Sequence, residues 1–318
     1  GLQGLRFPLS PRASPYVQMV LATMLFAAMG VCVKFASHDF GTAAVVSARG
    51  TVGAVIMLIV ARATATSLRT RVPLLHVRRG LAGVFALSMW FYSMAQLPLA
   101  TSVTLNYMSS VWMAVFLLLQ AAFLGGPRID RRLIVAIAVG FGGVALVLHP
   151  TLNEDQIWAG LIGLASGMLS AMAYLQVTAL GKAGEPEIRV VFYFSLMGSL
   201  MGAATWLLLP GQINPTPLAE IPTHSWLALF GVGVFATVAQ LLMTRAYARG
   251  STLVNANLQY LGIVHAGLLG TVLFGETLGL DALLGMALIV GSGMVAARLK
   301  PAAPAATPTP HPVKPDTP

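Results

Sequence analysis

The chain reads as an all-α membrane protein with ten transmembrane helices arranged as two inverted five-helix repeats. Three observations predict this. Its 318 residues are 57% hydrophobic and only 9% charged, where a soluble domain is about a quarter charged. The apolar residues fall into ten runs near the length of about 20 residues that a helix needs to cross a bilayer core. Seventeen of the nineteen Lys and Arg residues lie in, or at the edge of, alternate gaps between those runs, and only Lys34 and Arg49 lie well inside them.

The runs follow in order. Residues 16–37 form span 1, with Lys34 toward its end, and Asp39 sits in the gap that follows. Residues 42–61 form span 2, with Arg49 near its middle, and the next gap holds Arg62, Arg69, Arg71, Arg78 and Arg79. Span 3 covers 80–97 and carries Trp90 and Tyr92; an uncharged turn leads to span 4 at 101–124. Then come Arg128, Arg131 and Arg132, span 5 at 133–149, and a gap with Glu154 and Asp155. Span 6 covers 157–181, with Tyr174 and Gln176, and Lys182 and Arg189 separate it from span 7 at 190–209. A proline-rich outer loop with Glu220 precedes span 8 at 226–246, which closes on Arg245 and Arg249. Span 9 covers 252–275, Glu276 and Asp281 follow, and span 10 covers 280–297. Runs of this length without alternation exclude a β-barrel.

Cations in every second gap and no Lys or Arg in the others put both termini in the cytoplasm by the positive-inside rule. The expected division is a cytoplasmic N-terminal tail (1–15), a first repeat (16–149), an outer linker (150–156), a second repeat (157–299) and a disordered cytoplasmic tail (300–318) rich in Pro, Ala and Thr. The first run is too long for a signal peptide and has no small-residue cleavage pattern after it.

Sliding the chain by 150 residues brings spans and gaps into register. Gly83-Val84-Phe85-Ala86 meets Gly233-Val234-Phe235-Ala236, while the gap holding Arg128, Arg131 and Arg132 meets the one holding Glu276 and Asp281. An odd number of spans per copy inverts the second copy, so the charges at matched gaps reverse. Two inverted halves are an architecture of secondary transporters, with the substrate near the midplane.

Several function classes are excluded or disfavoured. The net charge of +9 is strung between apolar runs and forms no basic face for nucleic acid. Cys32 is the only cysteine, so neither an internal disulfide nor a Cys-based metal site can form. The chain has no catalytic signature and no spacing that calls for a cofactor or metal. The expected partners are a small-molecule substrate and the lipid bilayer, with a homodimer as the assembly to test.

Arg49 stands out because a cation within the bilayer is costly and normally faces a cavity or a partner. It either offers a planar fork to a substrate carboxylate or phosphate or holds the fold by bonding backbone carbonyls. Span 4 carries Ser102, Asn106, Ser109 and Met113 at helical spacing, with Tyr107 and Ser110 flanking. Span 9 carries Thr252, Asn255, Gln259 and Gly262 with Tyr260 beside them, so both repeats present a polar face to a shared cavity or to neighbouring helices. Trp90 and Tyr174 are candidates to pack on an organic solute. Lys34 either snorkels to the outer interface or pairs with Asp39 or Glu276 as a gate. His265, within span 9, is a candidate proton coupler, since no Asp or Glu lies well inside a span.

These features resemble the EamA-type drug/metabolite transporters over residues 16–299. The local marks are Ala27-Ala28-Met29-Gly30 leading to Lys34, Arg49 in span 2, Leu97-Pro98-Leu99-Ala100 entering span 4, and Leu273-Phe274-Gly275-Glu276 ending span 9. The family's Gly-Glu pair is kept at Gly275-Glu276, and Gly125-Gly126 stands in the first half. The Pro common in the middle of that helix is absent from both copies, with Ile263 near its second-half position. The resemblance implies a central cavity between the halves and alternating access. The expected function is therefore transport of a small polar metabolite, an amino acid or derivative, exported across a bacterial inner membrane. A channel, a receptor-like protein or a membrane-embedded lipid-modifying enzyme are the alternatives.

Overall fold

The computed structural model describes residues 14–125, 130–153, 156–209, 214–249 and 252–299, and every regular element among them is helical. The first half contains α1 (Ser14–Ala36), α2 (Thr42–Ala63), α3 (Pro73–Gln96), α4 (Leu99–Asn106), α5 (Ser109–Leu124) and α6 (Arg131–Asn153). The second contains α7 (Ile157–Lys182), α8 (Glu187–Leu208), α9 (Thr223–Arg249), α10 (Thr252–Gln259), α11 (Leu261–Phe274) and α12 (Leu280–Leu299). Eight stretches are long and apolar enough to cross a membrane, and Leu280–Ala296 is a shorter apolar helix. The tails and the charged gap residues Arg128, Glu154 and Asp155 lie outside the described residues.

Two helix ends and two continuous spans differ most from expectation. The third helix begins at Pro73, where a proline at the first helical turn loses no hydrogen bond. Arg78 and Arg79 therefore lie inside a helix and not in the gap before it. The sixth helix runs through Pro150 to Asn153, where a linker from 150 was expected. Span 4 divides into α4 and α5, and span 9 into α10 and α11.

Both divisions form without proline. At the first, Met108 N–H bonds Leu105 C=O three residues back, and the α-helical ladder resumes when Trp112 N–H bonds Met108 C=O. At the second, Tyr260 N–H bonds Asn257 C=O and Ile263 N–H bonds Tyr260 C=O. These tightened turns interrupt the α-helical ladder while keeping most of the backbone bonded, a requirement inside lipid.

The principal packing pairs are α2 with α8, α6 with α12, α1 with α9 and α3 with α7. Exchanging the halves maps this set onto itself. Gly50 lies against the backbone of Ser195, Gly198 and Ser199, and Gly202 lies against Ala43 and Ser47, so α2 and α8 run antiparallel. Gly143 meets Gly285 and Ile289, and Gly140 meets Ser292, so α6 and α12 do too. A two-fold axis along the helices would leave repeat-related helices parallel. Antiparallel pairs need an axis across them, which inverts one half relative to the other. Gly125 and Gly275, 150 residues apart, end α5 and α11 in the left-handed conformation, at φ 68° and 61°.

Candidate functional site

Arg49 projects from α2 toward α8 and α9. It is 1% exposed, the largest of the fully buried side chains. Its Nη1 donates to Ser195 Oγ at 2.9 Å and its Nη2 to Gln240 Oε1 at 2.7 Å. Its Nε has no hydrogen-bond partner. The partners come from the opposite half, and both are neutral.

Arg79, which hydropathy assigned to a loop, is the second cation of this region. It is 6% exposed on α3, folds back over Gly83, and leaves its Nε unpartnered. Both guanidinium groups lie over the ring of Phe194, with Arg79 Cζ 4.2 Å and Arg49 Cζ 4.8 Å from its centroid. The signal that would have placed Arg79 on a helix was Pro73, a residue favoured in the first helical turn. The hydroxyl of Thr237, fully buried on α9 and unpartnered, shares the space around Gly53 with Ser195 Oγ and Arg49 Nη1.

Tyr174 on α7 links this cluster to the broken helices. It shares a side-chain hydrogen bond with Gln259, the last residue of α10, and interacts electrostatically with Arg79 and Tyr107. Tyr107 and Tyr260 stand at the two helix breaks with ring centroids 6.4 Å apart, and Trp90 lies 6.4 Å from Tyr107. All three are buried, Trp90 Nε1 has no hydrogen-bond partner, and the Tyr260 hydroxyl meets Ser110. Six of the seven candidate binding residues thus converge between the halves. Asn106 differs: its amide donates to Ser166 and Ser170 at 3.1 Å each, an interhelical clamp between α4 and α7. His265 lies apart on α11, partly buried, with an unpartnered Nε2.

At one end of the bundle Lys34 pairs with Glu276. The Nζ–Oε1 distance is 2.8 Å, and Lys34 also donates to Leu97 C=O at 2.7 Å. Glu276 Oε2 accepts from Leu99 N–H at 2.9 Å. The pair therefore ties α1 and the end of α11 to the turn between α3 and α4. It borders a cavity of about 330 Å³ that also includes Gln96, Pro98 and Thr101. Asp39, the other acid considered for Lys34, accepts instead from Thr216 at 2.7 Å and from Ser225.

At the other end Glu185 collects bonds that sequence reasoning missed. It meets His76 Nε2 at 2.7 Å, Arg189 Nη1 at 3.0 Å and Thr70 Oγ1 at 3.1 Å. Arg189 Nε and the Tyr193 hydroxyl donate to the carbonyls of Ser67 and Leu68. The loop after α2 is thereby strapped to the turn before α8. Burial opposes ionisation of Glu185, but the bonds from His76, Arg189 and Thr70 outweigh it and hold its carboxyl below the ordinary glutamate range. Among the described residues no group of three or more His, Cys, Asp or Glu could hold a metal.

The sequence profile of the EamA-like transporter family matches residues 13–149 and again 157–297. The pseudopaline exporter of Pseudomonas aeruginosa (strain UCBPP-PA14) is 29% identical over 282 residues, covering 88% of this chain and 95% of the relative. The S-adenosylmethionine uptake transporter of Rickettsia bellii is 24% identical over 230 residues, covering 70% and 72%. The riboflavin transporter of Rhizobium johnstonii is 27% identical over 183 residues, covering 57% and 56%. A crystal structure with 20% identity superimposes with a TM-score of 0.62 over 91% of this chain and 98% of the other, a likeness of fold.

Proposed function

Since this chain belongs to the EamA-like transporter family, we propose that it is a ten-span secondary transporter that exports a small polar organic metabolite, an amino acid or derivative, by alternating access. Export follows the relative that the chain covers most fully among those described, an exporter. Ten spans follow from counting α3 as a span and each broken pair as one. The alternation of cationic and acidic gaps supports both termini on the cytoplasmic face of a bacterial inner membrane.

The observation that carries the substrate class is Arg49. A buried cation in a membrane protein costs several kcal/mol unless it is compensated, and here only neutral groups and a ring compensate it. The anionic group of the substrate completes its coordination. Gln259, Tyr174 and Tyr260 bond the polar groups, and Trp90 and Tyr107 pack on the apolar part. Asn106 positions α4 at the break. The Lys34–Glu276 pair acts as a gate at the outer end.

Proteoliposomes containing the purified chain test this with a panel of labelled amino acids and derivatives. Saturable uptake accelerated by unlabelled solute on the far side is expected, and Arg49→Gln should lower it by tenfold or more, roughly the value of one charge-assisted bond. Absence of flux for every solute in sealed vesicles would overturn the transporter reading. Flux without counterflow acceleration would replace a carrier with a channel.

A further inference from the structure

Arg49 and Arg79 are both more than nine-tenths buried, and both rest on one ring. Their guanidinium carbons are therefore separated by no more than the sum of the two ring distances. Two like charges this close repel. A cation–π contact returns less than burying a guanidinium costs. The ring only partly offsets that cost and leaves the region positive.

No described carboxylate relieves it. Lys34 has Glu276, His76 and Arg189 have Glu185, and Arg132 has Asp130. None of these acids pairs with Arg49 or Arg79. Three polar groups of the cluster are buried without a hydrogen-bond partner: Arg49 Nε, Arg79 Nε and Thr237 Oγ1. All three can donate. Unsatisfied buried donors in a native structure call for an acceptor, and the acceptor that answers both the missing bonds and the excess charge is an anion with several oxygens.

We propose that Arg49 and Arg79 form a two-cation site on Phe194 that takes two anionic groups of one solute. The substrate class is then an organic dianion, with two carboxylates a few bonds apart. This rests on the transporter reading above and narrows it. Arg49 takes one group with Ser195, Thr237 and Gln240 around it, and Arg79 takes the other beside Tyr174. The two arginines come from the first half, and Phe194, Ser195, Gln240 and Tyr174 from the second. A dianion seated there therefore bridges the halves.

Two matched pairs of probes test the proposal by thermal stabilisation and tryptophan fluorescence of the purified full-length chain in detergent. One is L-glutamate against L-glutamine, and the other is glutarate against its monomethyl ester. Within each pair the shape is nearly constant and one charge is removed. The member of each pair with two carboxylates should bind at least about tenfold more tightly, the value of one charge-assisted interaction. In Arg79→Gln the ratio should fall toward one, and in Arg79→Lys it should partly return, which a merely structural role would not produce. Ratios near one in the wild type, a preference surviving in Arg79→Gln, or no binding of any probe would overturn the proposal. Should Arg79→Gln fail to fold, the wild-type ratios decide alone. Counterflow of a solute with one carboxylate or none by a chain that ignores L-glutamate and glutarate would sink the two-cation site and leave the transporter standing.

Discussion

Lys34 and Arg49 are both cations within apolar helices, yet they are treated differently. Lys34 is satisfied by a carboxylate and a carbonyl in a site where it is 14% exposed, whereas Arg49 sits deeper among neutral partners. At this scale two outcomes can be measured. A Cβ on Gly50 would collide with the α8 backbone, so Gly50→Ala should destabilise the chain by about 1–3 kcal/mol, the usual cost of overpacking. Thermal unfolding in detergent would report it, and an unchanged midpoint would contradict the close approach. Glu185 has a folded-state pKa below its ordinary value of 4.5, so its bonds contribute stability that is fully present above that pH. The contribution is lost as pH falls through the lowered folded value. The gap in melting temperature between wild type and Glu185→Gln should therefore be open at pH 7 and close as pH drops below 4.5; a constant gap would mean that Glu185 acts by shape and not by charge.

Helix by helix, much of the fold was legible, because a bilayer imposes a length that hydropathy can measure. The start of α2 at Thr42 and of α7 at Ile157 matched to the residue. The start of α3 did not, since the same ruler discards charged residues and so hid Arg79. The breaks at Tyr107 and Tyr260 were invisible because they arise from tertiary packing without a proline. Lys34's partner was legible as one of two acids. Arg49's partners were not, since Ser195 and Gln240 are neutral residues on distant helices, and no pattern in the chain marks them. The pairing of α1 with the end of α11 makes its own prediction. Lys34→Glu and Glu276→Lys should each cut flux severely, and the double exchange should restore part of it. Restoration stays partial because a lysine at 276 cannot accept from Leu99 N–H. Equal flux in all three variants would remove the pair from the transport cycle.

For the whole molecule, the inversion of the halves fixes which loops share a face of the membrane. In a Cys32→Ser background, Ser67→Cys, in the exposed loop after α2, should react with an impermeant maleimide only from the cytoplasmic side. Thr277→Cys, exposed beyond α11, should react only from the outside. Labelling of both from one side would refute the arrangement. The antiparallel pairing of α2 with α8 and of α6 with α12 has a kinetic meaning as well. Any posture in which one half is tilted against the other has a twin in which the halves trade roles, and that twin opens toward the opposite compartment. The backbone alone would make the two postures nearly isoenergetic. On the alternating-access reading proposed above, side chains that break the symmetry bias their populations, and the Lys34–Glu276 pair at one end and the Glu185 strap at the other are the candidates. On the transport cycle proposed above, its rate and the side on which the empty carrier rests become matters of the relative strength of two latches, adjustable by point substitution without touching the fold, while the solute gradients set its direction.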